Sequence, residues 1–306
     1  MSEAVINEEI LERPKKKKIE LLGFDFSWAD PVAIKNSPAF YPALALIAAF
    51  TILFWNLFKG LPKLYLENEY YSHGWIVPAL SIAIIAKHWD KFSKIPVQGS
   101  WIPILFLIPF AMLNFAATRI QQLQFISLSF VFTMLLGVWF IAGFRWMLAL
   151  SLPISLTLFM LPVFSAMIDS MTNPLQLIST EISYGMLQFM QLSPFKENAT
   201  TIQLSNFTLD VGVPCSGLKT LLAITCFTLF FTMYSKRKWW GNLSMLMAVV
   251  PLCLFINGLR IAMIGVVGNS FGPDAGHKFH DYSGIIGLVI CFIILFKFAQ
   301  LLGWKD

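Results

Sequence analysis

Residues 123–143 carry the sequence Leu-Gln-Phe-Ile-Ser-Leu-Ser-Phe-Val-Phe-Thr-Met-Leu-Leu-Gly-Val-Trp-Phe-Ile-Ala-Gly, with no ionisable side chain. A helix of this length spans about 30 Å, the thickness of the hydrocarbon core of a bilayer. Comparable apolar runs recur along the 306 residues, of which 57% are hydrophobic and 13% charged, and the mean hydropathy is +0.69. Because about a quarter of the residues of a soluble domain are charged, the sequence predicts an integral membrane protein.

Eight apolar segments predict an all-α, polytopic membrane helix bundle with about eight transmembrane helices. They are residues 41–58, 75–88, 101–118, 123–143, 146–164, 216–234, 243–268 and 283–303. They leave a polar N-terminal tail, residues 1–40, which contains Lys15 to Lys18 and no cleavable signal peptide. The prediction is a cytoplasmic tail followed by one transmembrane domain, residues 41–303.

A further helical stretch, residues 174–192, differs from these segments in polarity. It opens with Pro174 and contains three glutamines and one glutamate. Because polar groups are costly in lipid, we expect this stretch to lie in the membrane interface or to pack into the bundle without crossing.

The basic residues predict the orientation in the membrane, since cytoplasmic loops are enriched in lysine and arginine. If the N-terminus is cytoplasmic, 15 of the 22 lysines and arginines lie inside and seven lie outside. The inner set is Arg13, Lys15, Lys16, Lys17, Lys18, Lys35, Lys87, Lys91, Lys94, Arg145, Lys236, Arg237, Lys238, Lys297 and Lys305. Both termini are then cytoplasmic, and residues 59–74, 165–215 and 265–282 face outward.

The charge distribution and the positions of the cysteines argue against nucleic-acid binding, a disulfide framework and a metal site. The net charge of +5 and the pI of 9.0 come from loops beside apolar segments, and no basic-aromatic pattern indicates nucleic-acid binding. Three of the four cysteines, Cys226, Cys253 and Cys291, lie within apolar segments, where a thiol usually acts as a small hydrophobe. No Cys-x-x-Cys or Cys/His metal spacing occurs, so we expect neither a disulfide framework nor a metal or cofactor site.

The fourth cysteine lies in the polar stretch Asp210-Val-Gly-Val-Pro-Cys215-Ser-Gly-Leu-Lys219-Thr220. This stretch ends a strand-like segment, 200–213, and opens a membrane helix. A helix N-terminus stabilises a thiolate and can hold an oxyanion, and Lys219 adds positive charge one turn on. The alternative is a helix entry with a small buried thiol.

Two further motifs follow in the next two helices. The segment Ile256-Asn257-Gly-Leu-Arg260 puts Asn257 and Arg260 on one helical face. An arginine inside an apolar span is costly and therefore indicates a functional residue; the alternative is an arginine whose side chain reaches the lipid headgroups. The segment His277-Lys-Phe-His280-Asp-Tyr-Ser-Gly284 supplies proton carriers in a predicted outer loop. A nucleophile, a cation and a proton carrier at one end of the bundle suit acyl transfer.

The three motifs together resemble those of the exosortase and archaeosortase family. That family has a Cys-Ser-Gly at a helix start, an Asn-x-x-Arg in the next helix and a His-x-x-x-Gly opening the one after. Here these are Cys215-Ser-Gly, Asn257-x-x-Arg260 and His280-x-x-x-Gly284, and Tyr71-Ser-His73-Gly is similar to the family's N-terminal region. The resemblance covers roughly residues 41–303.

The resemblance implies a function and a set of roles. Cys215 would be the nucleophile, Arg260 the transition-state cation and His280 the acid/base, with His73, Asn257 and Lys219 as candidate substrate-binding residues. The implied enzyme is a thiol peptidase and transpeptidase of a prokaryotic inner membrane, with its site facing outward. Its implied partners are exported proteins with a C-terminal tail of a short motif such as Pro-Glu-Pro, a membrane helix and a basic cluster. The thioester would pass to an amine or to water.

Two other functions fit the composition. One is a non-catalytic membrane subunit of an envelope polysaccharide or export system, in which Cys215 is structural. The other is an anion transporter in which Arg260 binds the solute. A transporter site should lie near the midplane and open to both sides, whereas the motifs gather toward one face.

Overall fold

The computed structural model describes residues 20–21, 24–25, 40–235 and 239–303. The chain divides into two compact units, Met1–Leu53 and Phe54–Asp306. The first contains an antiparallel pair of strands, β1 (Glu20–Leu21) and β2 (Phe24–Asp25), and helix α1 (Phe40–Leu53). Most of the predicted tail, with Lys15 to Lys18, lies outside the described residues, as do 236–238 and 304–306.

The second unit is helical, which confirms the predicted membrane helix bundle. Its helices are α2 (Trp55–Glu67), α3 (Val77–Lys87), α4 (Trp89–Phe92), α5 (Pro103–Arg119), α6 (Leu123–Ala142), α7 (Phe144–Leu156), α8 (Ser165–Phe189), α9 (Leu218–Tyr234), α10 (Trp239–Phe271) and α11 (Pro273–Leu301). Short 3₁₀ turns lie between them at Glu69–Trp75, Thr157–Met160, Pro162–Phe164 and Val213–Cys215. A small antiparallel sheet of β3 (Phe195–Lys196), β4 (Thr201–Gln203) and β5 (Thr208–Asp210) precedes α9.

The predicted count of eight transmembrane helices is not confirmed. Within the described residues, four helical segments are long and apolar enough to cross a membrane: Leu123–Ala142, Val213–Tyr234, Trp239–Phe271 and Pro273–Leu301. The count rises to six if each of two broken helix pairs forms one span. Two other predicted spans are short helices, since α3 has 11 residues and α5 has 17. At 1.5 Å per residue, α3 covers about half of a ~30 Å hydrocarbon core.

Two predicted single helices are interrupted. The segment 41–58 breaks at Phe54, between α1 and α2. The segment 146–164 contains α7 and two 3₁₀ turns, and its axis bends by 65° before α8. Pro162 accounts for this second break, because a proline disfavours helical geometry in the residue before it, and Leu161 is extended with ψ of 148°.

Helix α8 also begins earlier than predicted, since it starts at Ser165 and contains Pro174. It packs along α10, and its buried face includes three small hydroxyl residues, Ser179, Thr180 and Ser183. Small residues let two helices approach closely. The expected packing into the bundle is therefore observed, while α7 and α8 together form either a broken span or a re-entrant loop.

The last two helices are longer than predicted. Helix α10 has 33 residues and α11 has 29, and Gly272, with φ of 93°, is the single residue between them. The segment 265–282, predicted as an outer loop, is thus almost entirely helical. The physical reason is in the sequence: Pro273 suits the first position of a helix and Asp274 interacts favourably with the helix dipole.

The sheet forms a core with the ends of the neighbouring helices and confirms the strand-like pattern of 200–213. Leu209 packs in one buried cluster with Leu187 of α8 and Ile261 of α10. The ring of Phe207 lies where a Cβ of Gly268 or Gly276 would stand, within 2.6 Å and 3.0 Å. Glycine at these positions lets the strand segment reach the junction of α10 and α11.

Candidate active site

The turn before α9 carries Cys215. Strand β5 leads into a 3₁₀ turn in which the Cys215 N–H donates to the Gly212 carbonyl over 2.9 Å. Gly217 then caps α9 in a left-handed conformation with φ of 78°. The cysteine, 6% exposed, therefore lies directly before a helix whose first N–H groups have no partner within the helix, as predicted.

Asn257 of α10 fixes this turn. Its Nδ2 donates to the Cys215 carbonyl over 2.7 Å and to the Ser179 hydroxyl over 2.9 Å. A Cβ at Gly217 would lie 2.8 Å from the Asn257 Cγ, so the close approach and the positive φ both require glycine. The amide of Asn257 is buried and holds the turn that carries Cys215; the substrate binding suggested by the sequence stays a prediction.

His280 of α11 contacts the cysteine. Its Nε2 lies 3.2 Å from the Cys215 Sγ, within hydrogen-bonding distance for sulfur. The other ring nitrogen, Nδ1, lies 3.5 Å from Asp281, whose side chain is 75% exposed. A contact with so exposed a carboxylate contributes little energy. His280 belongs to the second turn of a helix and not to a loop, so the backbone holds its imidazole in place.

Arg260 joins α10 to the same turn of α11. Its Nε donates to the Ser283 hydroxyl over 2.9 Å and its Nη2 to the His280 carbonyl over 3.4 Å. The Ser283 hydroxyl in turn donates to the His280 carbonyl over 2.9 Å. The guanidinium is therefore fixed beside the Cys215–His280 pair, and the structure brings together the three residues that the sequence singled out.

A cavity of about 490 Å³, here called the large cavity, opens beside these residues. It lies between the 3₁₀ turn Glu69–Trp75, α9, α10 and α11. Its ionisable lining residues are Glu69, His73, Lys219, Arg260, His280 and Asp281, and its apolar lining includes Ala223, Phe227, Ile285 and Leu288. A space of this size, part charged and part apolar, can hold a peptide segment.

Lys219 lies in the wall of the large cavity and pairs with Glu69, their Nζ and Oε2 atoms being 3.3 Å apart. Their side chains are 49% and 68% exposed, so solvent screens the pair strongly and the lysine can exchange partners. The ion pair connects the cysteine helix to the 3₁₀ turn Glu69–Trp75.

His73 lines the large cavity from that 3₁₀ turn. Both of its ring nitrogens are buried, and the backbone of Phe159 interacts with the imidazole. Burial lowers the pKa of His73, which favours the neutral imidazole near pH 7. The thiol of Cys215 is hydrogen-bonded to His280, so His280 and not His73 is its partner in this arrangement.

Three further residues of the site gave no sequence signal. Ser179 accepts a hydrogen bond from Asn257, and Ser283 accepts one from Arg260. Glu69 pairs with Lys219, which is 150 residues away in the sequence. Within the described part of the chain, no group of three or more His, Cys, Asp or Glu side chains is placed to hold a metal ion.

A comparison with protein families matches residues 65–297 to the model described as transmembrane exosortase (Exosortase_EpsH). The match covers about three quarters of the chain and includes every residue of the site described above. Searches of curated proteins and of solved structures gave no match.

Proposed function

Since this chain belongs to the transmembrane exosortase family, we propose that it is a cysteine peptidase and transpeptidase that acts at a C-terminal sorting signal. It is a multi-pass membrane protein. The proposed substrates are exported, membrane-anchored proteins that end in a short motif, an apolar helix and a basic tail. Their own anchor would raise their local concentration at a membrane-embedded site.

The contact between Cys215 Sγ and His280 Nε2, 3.2 Å long, carries this proposal. His280 accepts the thiol proton as the sulfur attacks the scissile carbonyl carbon and the C–S bond forms. The C–N bond then breaks, His280 returns the proton to the leaving amine, and a thioester remains. An amine or water attacks the thioester next, its proton passes to His280, and the C–S bond breaks to release the product.

Arg260 supplies the positive charge for the developing oxyanion. Two of its nitrogens are held by Ser283 and by the His280 carbonyl, which leaves Nη1 and the remaining N–H groups for the substrate. A charge held in place before reaction needs no reorganisation in the transition state. Asn257 acts through Cys215, because it holds the carbonyl of the nucleophile itself.

The contacts favour this function over the two alternatives. A purely structural thiol would need no histidine at 3.2 Å, since a buried cysteine is satisfied by apolar packing. A binding site for an anion would need no thiol and imidazole beside its guanidinium, whereas Arg260 is bonded to the turn that carries His280.

Thiol alkylation tests the proposal directly. We expect iodoacetamide to modify Cys215 of the purified protein at neutral pH, and to modify it at least about tenfold more slowly in His280→Ala, because the histidine stabilises the thiolate. The three other cysteines are internal controls, since each is at most 3% exposed. Equal modification of Cys215 with and without His280 would remove the histidine from the proposed mechanism.

The proposed orientation has both termini in the cytoplasm and the site outside, because 15 of 22 basic residues then lie inside. Topology reporters fused at Asn198 and at Ser235 check it. We expect an outside signal at Asn198 and an inside signal at Ser235. An inside signal at Asn198 would put the sheet and Cys215 on the cytoplasmic side and contradict processing of exported proteins.

A further inference from the structure

Strand β5 has a free edge. The sheet order is β3-β4-β5, so within the described residues β5 pairs with β4 alone. The Leu204 N–H donates to the Phe207 carbonyl over 2.8 Å and the Val211 N–H to the Thr200 carbonyl over 2.9 Å. Hydrogen-bonded pairs alternate along an antiparallel ladder. Phe207, Leu209 and Val211 therefore bond toward β4, and the backbone N–H and C=O of Thr208, the first residue of β5, point to the free edge.

A second cavity, of about 110 Å³ and here called the edge cavity, adjoins β5. It is lined by residues 207–211, by Cys215 and His280, and by Ile261, Ile264 and His277 of the two neighbouring helices. The strand with the free edge, the thiol and the imidazole therefore border one space.

His280 lines both the edge cavity and the large cavity. Both spaces therefore border the imidazole that contacts the thiol. The edge cavity lies against the sheet, and the large cavity lies among the helices, with Phe227 and Leu288 in its wall. A polypeptide that passes from one to the other carries its scissile bond past Cys215, with an extended segment on the sheet side and an apolar segment on the helix side.

From this geometry we infer that the substrate binds to β5 as a fourth strand. The inference rests on the proposed function and specifies how that site recognises a peptide. Backbone hydrogen bonds to the free edge align the chain, and the side chains of the added strand alternate between the apolar wall at Ile261 and Ile264 and the open side. The site therefore selects for an extended backbone next to the cleaved bond.

A peptide reagent tests this without knowledge of the natural substrate. The probe is N-acetyl-Ala-Ala-Ala chloromethyl ketone, which has three amide N–H groups and alkylates a thiol with loss of chloride, and it is compared with iodoacetamide on the full-length protein in detergent. Each amide of the probe is N-methylated in turn. We expect methylation of the amides that face β5 to slow labelling of Cys215 by about fivefold, the effect of one lost hydrogen bond, and methylation of the intervening amide to have little effect.

A variant tests the strand from the protein side. Thr208→Pro removes the N–H at the free edge, a position where an edge strand tolerates proline, and should lower the ratio of the peptide rate to the iodoacetamide rate. Lys196→Pro is the matched control. The Glu197 N–H donates to the Thr201 carbonyl over 3.1 Å, so the Lys196 N–H points out of the opposite edge of the sheet, and its loss should leave the ratio unchanged.

The outcomes separate the two hypotheses. Equal effects of N-methylation at every position, or equal ratios in Thr208→Pro and the unmodified protein, would overturn strand addition while Cys215 still reacts with iodoacetamide. No reaction of Cys215 with either reagent would overturn the proposed function and strand addition together.

Discussion

Replacement of Cys215 by alanine is expected to abolish processing of a co-expressed substrate, a loss of at least about 10³-fold. No other cysteine can take over the reaction, since Cys226, Cys253 and Cys291 are buried within the helices and away from His280. Cys215→Ser should be nearly inactive as well, because a hydroxyl is far less acidic than a thiol and forms little of the anionic nucleophile. Processing is measured as the shift in substrate size on a gel, at matched membrane levels of the enzyme.

The matched controls are Cys226→Ala, Cys253→Ala and Cys291→Ala. Each substitution removes one buried sulfur and leaves a small cavity, which lowers the free energy of unfolding. Each variant should still retain most of the processing activity. Full activity in Cys215→Ala would end the enzyme hypothesis and favour a non-catalytic membrane subunit. Equal loss in all four variants would show that buried thiols matter here for folding.

The second large effect is expected at Arg260. Arg260→Lys keeps the charge but replaces a planar group with several fixed donors by a single ammonium, which cannot bond to Ser283 and to the His280 carbonyl in the same geometry. If the guanidinium stabilises the oxyanion, its loss acts on the transition state. We expect the processing rate to fall by about 10²–10³-fold in both Arg260→Lys and Arg260→Ala, with turnover falling far more than substrate binding.

Arg119→Lys is the matched control, because Arg119 is an exposed residue at the end of α5 and the same change there should leave processing intact. Membrane abundance is measured alongside the rate. An active Arg260→Lys enzyme would exclude an arginine-specific role in the site. Low abundance of Arg260→Ala with normal activity per molecule would assign the residue to folding.

The sequence predicted the class of the protein and the meeting of its three motifs, because both depend on local chemistry. An apolar run without charges identifies a membrane helix wherever it packs, and the spacing of Asn257 and Arg260 fixes their common face. The two side chains on that face nevertheless contact different neighbouring segments. Asn257 reaches back to the cysteine turn, whereas Arg260 reaches forward to α11. The helical period predicts which residues share a face of a helix, but it does not predict which segment packs against that face.

The helix limits were harder to predict, for a reason visible at α11. Hydropathy marks the part of a helix that lies in lipid, and the polar turns Pro273 to Tyr282 extend the same helix beyond that part. The break at Phe54 is different, since no proline or glycine marks it. The free edge of β5 could not be predicted either, because it depends on the pairing of β5 with β4 alone.

The order of the site along the chain has a consequence for biosynthesis. Cys215 leaves the ribosome first, Asn257 locks its turn only after α10 has been made, and His280 follows the cysteine by 65 residues. In the proposed mechanism the thiol lacks its base throughout this interval. A chain stalled before α11 has joined the bundle is therefore not expected to form a thioester with a substrate.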